Sequence, residues 1–150
     1  MTWVILFMIK VENLLYSNLK IKIMKFIGFI KKHGDDFFAK DLQKYYLAGT
    51  EENMHRNEVL EYLKKGVLCA AIMGIAEDND EERMGYVGVD TDGEWYWPEY
   101  LINYLKKYQN FKLNEDFVEH VLKNKDKKIE LSEEEVSELE NEFFKIAWDK

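Results

Sequence analysis

Apolar positions recur at helical spacing toward both ends of the chain and crowd into strand-like runs in its middle. Phe26, Ile27, Phe29 and Ile30 share one helical face and predict a short helix before His33-Gly34. Asp35 or Asp36 is placed to cap a second helix over 37–47, with Phe38, Leu42, Tyr45 and Tyr46 inward. Asn53 is placed to cap a third, whose apolar side is Val59, Leu60, Tyr62 and Leu63. Lys64-Lys65-Gly66 suits its end, because cations answer the C-terminal dipole and glycine accepts a left-handed backbone. The continuous apolar run 67–76, between a glycine stop and a polar turn, favours a buried strand over a helix. Residues 83–89 and 94–97 predict the arms of a hairpin around Asp92-Gly93, a pair that tolerates the positive φ of a type I′ turn. Along the second arm, alternation places Trp95 and Trp97 in the core and Tyr96 outward.

The helical pattern then resumes. Pro98 suits the first position of a helix continued by Leu101, Ile102, Tyr104, Leu105 and Tyr108. Asn114 is placed to cap the next, with Phe117, Val118, Val121 and Leu122 on its face. Residues 124–128 read as an exposed turn, and Ser132-Glu133-Glu134-Glu135 as a capping box before a helix striped by Val136, Leu139, Phe143 and Ile146. The expected fold is α+β: a single domain over 1–150 in which helices flank a three-stranded antiparallel meander. The apolar run 3–9 is too short for a membrane span and lacks the flanks of a signal peptide. Met24 offers an alternative start, which would make 1–23 an N-terminal extension.

Charge narrows the range of partners. The net charge is −8, but residues 1–73 carry net +3 and residues 74–150 net −11. A general nucleic-acid binder needs a basic footprint, so that class is set aside, and no membrane partner is expected. An acidic surface suits a basic protein partner, although a solvated acidic face is the plainer reading of the glutamates near the C-terminus. One cysteine, Cys69, allows no internal disulfide and fits a reducing, cytoplasmic setting.

Candidate chemistry is sparse. His33, His55 and His120 stand alone in sequence, and none forms a two-histidine pair on one helix face. Cys69 lies in an apolar run, where a thiol is inert. No nucleophile elbow or glycine-rich phosphate loop is present. The acidic stretch from Asp78 places Arg83 where a calcium loop needs glycine and Val89 where it needs glutamate. No catalytic residue, metal or cofactor is therefore expected. Protein recognition fits better. Glu77, Asp78, Asp80, Glu81 and Glu82 form an acidic loop, Asp92 and Glu94 flank the hairpin turn, and Tyr96 is the candidate aromatic anchor.

The stretch from Thr91 to Leu101, followed by Tyr104, Tyr108 and Phe117-Val118-Glu119-His120, resembles a pattern in small bacterial immunity proteins. Those proteins accompany polymorphic toxins, including contact-dependent growth inhibition systems. The shared features are a DG turn, an aromatic strand, a Trp-Pro step, a tyrosine-bearing helix and a later Phe and His, over roughly residues 60–122. The resemblance implies an inhibitor rather than an enzyme. Such a protein binds a cognate toxin domain, a nuclease among the candidates, and occludes its active or substrate site. The rival expectation is a small enzyme or ligand-binding regulator, which would need a pocket where a histidine meets Asp90 or Glu94.

Overall fold

The computed structural model describes residues 23–46 and 55–148. The alternative start at Met24 turns on residues 1–22, and the Asn53 cap and the end of the 37–47 helix also lie outside the described residues. The fold is α+β, but the sheet differs from the expected meander. Strands β1 (Lys25–Phe26), β2 (Val67–Ala70), β5 (Val89–Thr91) and β6 (Trp95–Pro98) form one mixed sheet in the order β1-β6-β5-β2. Strands β3 (Ile75–Glu77) and β4 (Arg83–Tyr86) form a separate two-stranded hairpin. Helices α1 (Leu42–Tyr46), α2 (Arg56–Leu63), α3 (Leu101–Lys107), α4 (Glu115–Asn124) and α5 (Glu133–Trp148) complete the described elements.

The first predicted helix is absent because its backbone is used elsewhere. Lys25 and Ile27 donate to the carbonyls of Glu94 and Tyr96, so β1 runs parallel to β6. Gly28 follows with φ +80°, and Leu101 packs where a side chain at that position would stand. A 3-10 turn, Lys31–His33, comes next. Phe29 accepts from the Lys40 amide and Lys40 from the Lys31 amide, which holds residue 40 extended and delays α1 to Leu42. Leu42 and Tyr45 are buried as expected, while Phe38 and Tyr46 are half-buried.

The apolar run 67–76 is not one buried strand. Gly74, at φ +139°, separates β2 from β3, and Met73 is 99% exposed. The Asp92-Gly93 hairpin is present between β5 and β6, with Asp90 opposite Trp97 and Thr91 opposite Tyr96. Only Gly93 of the pair has positive φ, so the turn is not type I′. Asp92 Oδ1 instead accepts from the Glu94 and Trp95 amides at 2.9 and 2.8 Å, and the Thr91 hydroxyl accepts from the Gly93 amide and donates to the Trp95 carbonyl. Pro98 ends β6 rather than starting a helix, and α3 begins at Leu101.

Both faces of the four-stranded sheet are covered. On one side Trp95 and Trp97 pack with α2, α3 and α4 through Val59, Leu63, Leu101, Leu105 and Phe117. On the other, Tyr96 packs with Phe29, Leu139, Phe143 and Ala147, and its hydroxyl donates to the Leu139 carbonyl at 2.8 Å. Tyr96 therefore does not face outward: it is fully buried, because α5 covers the face that alternation alone would leave to solvent. Ser132 caps α5 through the Glu135 amide, and the Glu135 carboxylate accepts from the Ser132 hydroxyl. Among the described residues no helix is long and apolar enough to cross a membrane.

Candidate functional site

Apart from Tyr96 in the core, the predicted recognition residues divide between two places, and the side chains of Asp78, Asp92 and Tyr96 are unavailable to a partner. At the tip of the β3–β4 hairpin, Glu77, Asp80, Glu81 and Glu82 are exposed, whereas Asp78 is 1% exposed. Asp78 acts as an internal anchor. Its Oδ1 accepts from the Asn79 amide at 2.8 Å, and its Oδ2 accepts from the Tyr108 hydroxyl at 2.6 Å and faces Lys107 Nζ at 2.7 Å. Burial disfavours the Asp78 carboxylate, but the hydrogen bonds from Lys107, Tyr108 and Asn79 outweigh it and hold its pKa below the usual value. Placing Asp78 at an interface is thus corrected: a side chain spent on three donors is not a contact surface.

Lys107, the last residue of α3, binds three arms of the loop. It lies 2.6 Å from Asp80 Oδ2 and 2.8 Å from Glu82 Oε2 in addition to Asp78. The backbone is closed as well, with the Asp78 amide donating to the Glu82 carbonyl and the Glu81 amide to the Asp78 carbonyl. Glu81 sits at φ 67°, so the turn holds a non-glycine residue in the left-handed region. The loop is a shaped turn whose surplus negative charge is smaller than its five carboxylates imply. Glu77 and Glu81 are the two carboxylates that Lys107 does not hold.

The second place is the β5–β6 turn. Asp92 Oδ2 accepts from the Tyr62 hydroxyl at 2.6 Å and lies 2.6 Å from His120 Nε2. With two backbone amides on Oδ1, Asp92 has four donors, and its side chain is only 2% exposed. The Nε2–H tautomer suits the contact with Asp92 and leaves Nδ1 to accept from the Asn124 side-chain amide. Nδ1 lies 3.4 Å from Glu94 Oε2 and 3.4 Å from Asn124 Nδ2. Trp95, Phe117 and Tyr62 ring the imidazole at 5.9 to 6.3 Å between centroids. A cavity of about 250 Å3 opens over this group, with Glu94, Glu130, Glu135, Lys127 and Lys128 at its wall. Glu94 is 68% exposed and able to meet a ligand. Asp92 orients the His120 ring at the wall of this cavity.

Other candidates behave as folding residues. Burial pushes the Cys69 thiol up to about 12, with Glu140 and Asp90 adding to it. His33 Nε2 pairs with the Tyr104 hydroxyl at 2.7 Å, and burial and Lys32 lower its pKa. Among the described residues no three His, Cys, Asp or Glu side chains are placed to hold a metal ion.

Sequence reasoning missed the roles of Lys107, Tyr108 and Tyr62, and read His120 as a histidine that stands alone. Lys107 carries no local signal of its role, since its acidic partners lie on a different element. His120 and Asp92 both fall within the immunity-like pattern, and their separation of 28 positions hides their contact. The chain matches no protein-family model, no curated protein and no solved structure.

Proposed function

We propose that this chain is a cytoplasmic immunity protein that binds a bacterial toxin domain and occludes its active or substrate site. The observation that carries this reading is the acidic hairpin tip. Asp78, Lys107 and Tyr108 hold its shape from inside, while Glu77, Asp80, Glu81 and Glu82 stay at the surface. A surface ordered before contact loses less entropy on binding, and fixed carboxylates speed encounter with a basic partner such as a nuclease cleft. The stretch that resembles immunity proteins contributes packing. Asp92, Trp95, Phe117 and His120, all within that stretch, meet around one turn.

Growth under co-expression tests the proposal. Candidate toxin domains, nucleases first, are expressed with and without this chain, and protection from one of them is the expected result. Replacing Glu77 and Glu81 with Lys should then slow association about tenfold at low salt and much less at high salt. An unchanged association rate would remove the tip from the interface.

A second reading has its own support. His120 beside Glu94, oriented by Asp92 under an open polar cavity, is the arrangement a small enzyme or ligand-binding regulator would need. Its test is a ligand screen followed by thermal shift. A compound that stabilises the wild type but not His120→Asn would favour it.

A further inference from the structure

The β3–β4 hairpin carries a feature that neither the acidic tip nor the core explains. Ile75 and Tyr86 are paired across its strands and are 48% and 63% exposed, and Met73 just before it is almost fully exposed. With Ala71, Ile72 and Gly74 they line a shallow groove of about 610 Å3. The inward residues of the same hairpin, Ala76 and Met84, are buried, and Asn103 of α3 donates to the Met84 carbonyl at 2.7 Å. The hairpin is therefore fastened by one face while it holds large apolar side chains to water on the other. Folding does not require that exposure, and contiguous apolar surface of this kind marks an interaction site.

We infer that this groove anchors a polypeptide segment that combines a large apolar side chain with flanking Lys or Arg, supplied by the protein partner of the proposed inhibitory reading, on which the inference rests. Charge identifies the occupant. One end of the hairpin is the acidic tip, where the five carboxylates of residues 77–82 outnumber Arg83, Lys107 and Lys32, the cations set against it. A second copy of this chain would bring two such tips together and add the mutual repulsion of molecules of net charge −8. A segment of opposite charge gains from the same tip while its apolar residue covers Met73, Ile75 and Tyr86. An apolar centre with a charged rim is the anatomy of a protein interface.

Two synthetic peptides test the inference on the full, isotope-labelled chain. One places Leu and Trp among Lys and Arg, and the other places the same apolar residues among Glu. The cationic peptide should shift the amide resonances of residues 71–75 and 86 and bind at least about tenfold more tightly at low salt. Met73→Ser should weaken that binding several-fold. This side chain is almost fully exposed, so the change leaves the fold intact; Tyr86→Glu provides an independent second variant. Equal affinity for both peptides, or shifts confined to the His120 cavity, would overturn the inference. So would a dimer in sedimentation that Met73→Ser dissolves, or contacts from residues 3–9 onto Met73. The toxin assay separates the two claims. Peptide binding at the groove without protection from any toxin would leave the groove standing and remove the immunity reading. Protection that survives Met73→Ser and Tyr86→Glu together would do the reverse.

Discussion

Lys107 Nζ lies 2.7 Å from Asp78 Oδ2, at the one carboxylate of the acidic tip that is buried. The two residues belong to α3 and the β3–β4 turn, so this pair ties the projecting hairpin to the body of the fold. Removing the cation strands a carboxylate that cannot reach water, and the cheapest relief is for the turn to open. Lys107→Met should therefore raise amide exchange at Asn79, Glu81 and Glu82 at least about tenfold, while the β6 amides keep their protection. Equal exchange across both regions would mean that the clamp supports the whole fold rather than the tip.

Two aspartates give opposite pH dependence. Asp78 titrates below its ordinary value of 3.8, so its contribution is present above that pH and is lost as pH falls through the lowered folded value. Asp90 is pushed up to about 6 by burial and by the nearby Glu99. Its proton is bound more tightly in the folded state, so its contribution is complete below 3.8 and is lost as pH rises through about 6. Asp90→Asn should thus stabilise the protein by about 1 kcal/mol at pH 7, after allowing for solvent screening, and by almost nothing near pH 3.5, on the scale of about 1.4 kcal/mol per pH unit. Asp78→Asn should flatten the acid limb below 3.8. Denaturant titrations across pH check both signs.

Tyr96→Phe separates core from interface. The substitution removes the hydrogen bond to the Leu139 carbonyl and leaves that acceptor without its buried donor, at a cost of about 1 kcal/mol. Association with a partner protein should not change. A slower association rate with unchanged stability would return Tyr96 to the interface.

Gly66→Ala tests close packing between α2 and the sheet. A Cβ at Gly66 would stand 2.4 Å from Trp97 Cζ2 and 3.1 Å from Asp90 Cβ. Trp97 is fully buried and has no room to yield. Destabilisation of about 1–3 kcal/mol is expected in urea unfolding. Gly66 is not in the left-handed region, so the predicted helix-ending role gives way to a steric one.

The chain's own pattern determined a good deal. The apolar faces of α2, α4 and α5, the turn at Asp92-Gly93 and the Ser132 cap all rest on interactions within a few residues. Local spacing is sufficient there, because side chains three or four apart share a helix face and a short polar side chain reaches its own turn. The exposure of Glu77, Glu81 and Glu94 was legible for the same reason.

What tertiary structure decided was each case where two plausible local states competed for a distant partner. Residues 26–30 fit a helical face, yet the Ile27 amide donates to the Tyr96 carbonyl of β6 and the Ile30 amide to the Tyr100 hydroxyl, each about 70 positions away, and Gly28 leaves room for Leu101. Tyr96 alternates outward along its strand, yet α5 arrives to cover that face. The acidic loop looks like free charge in sequence, yet Lys107 and Tyr108 bind it from α3 and its end. Asp92 and His120 are unremarkable until the fold brings α4 against the β5–β6 turn. A single sequence records each residue's preferences, but long-range pairing determines which backbone amide finds which carbonyl and which carboxylate loses its water.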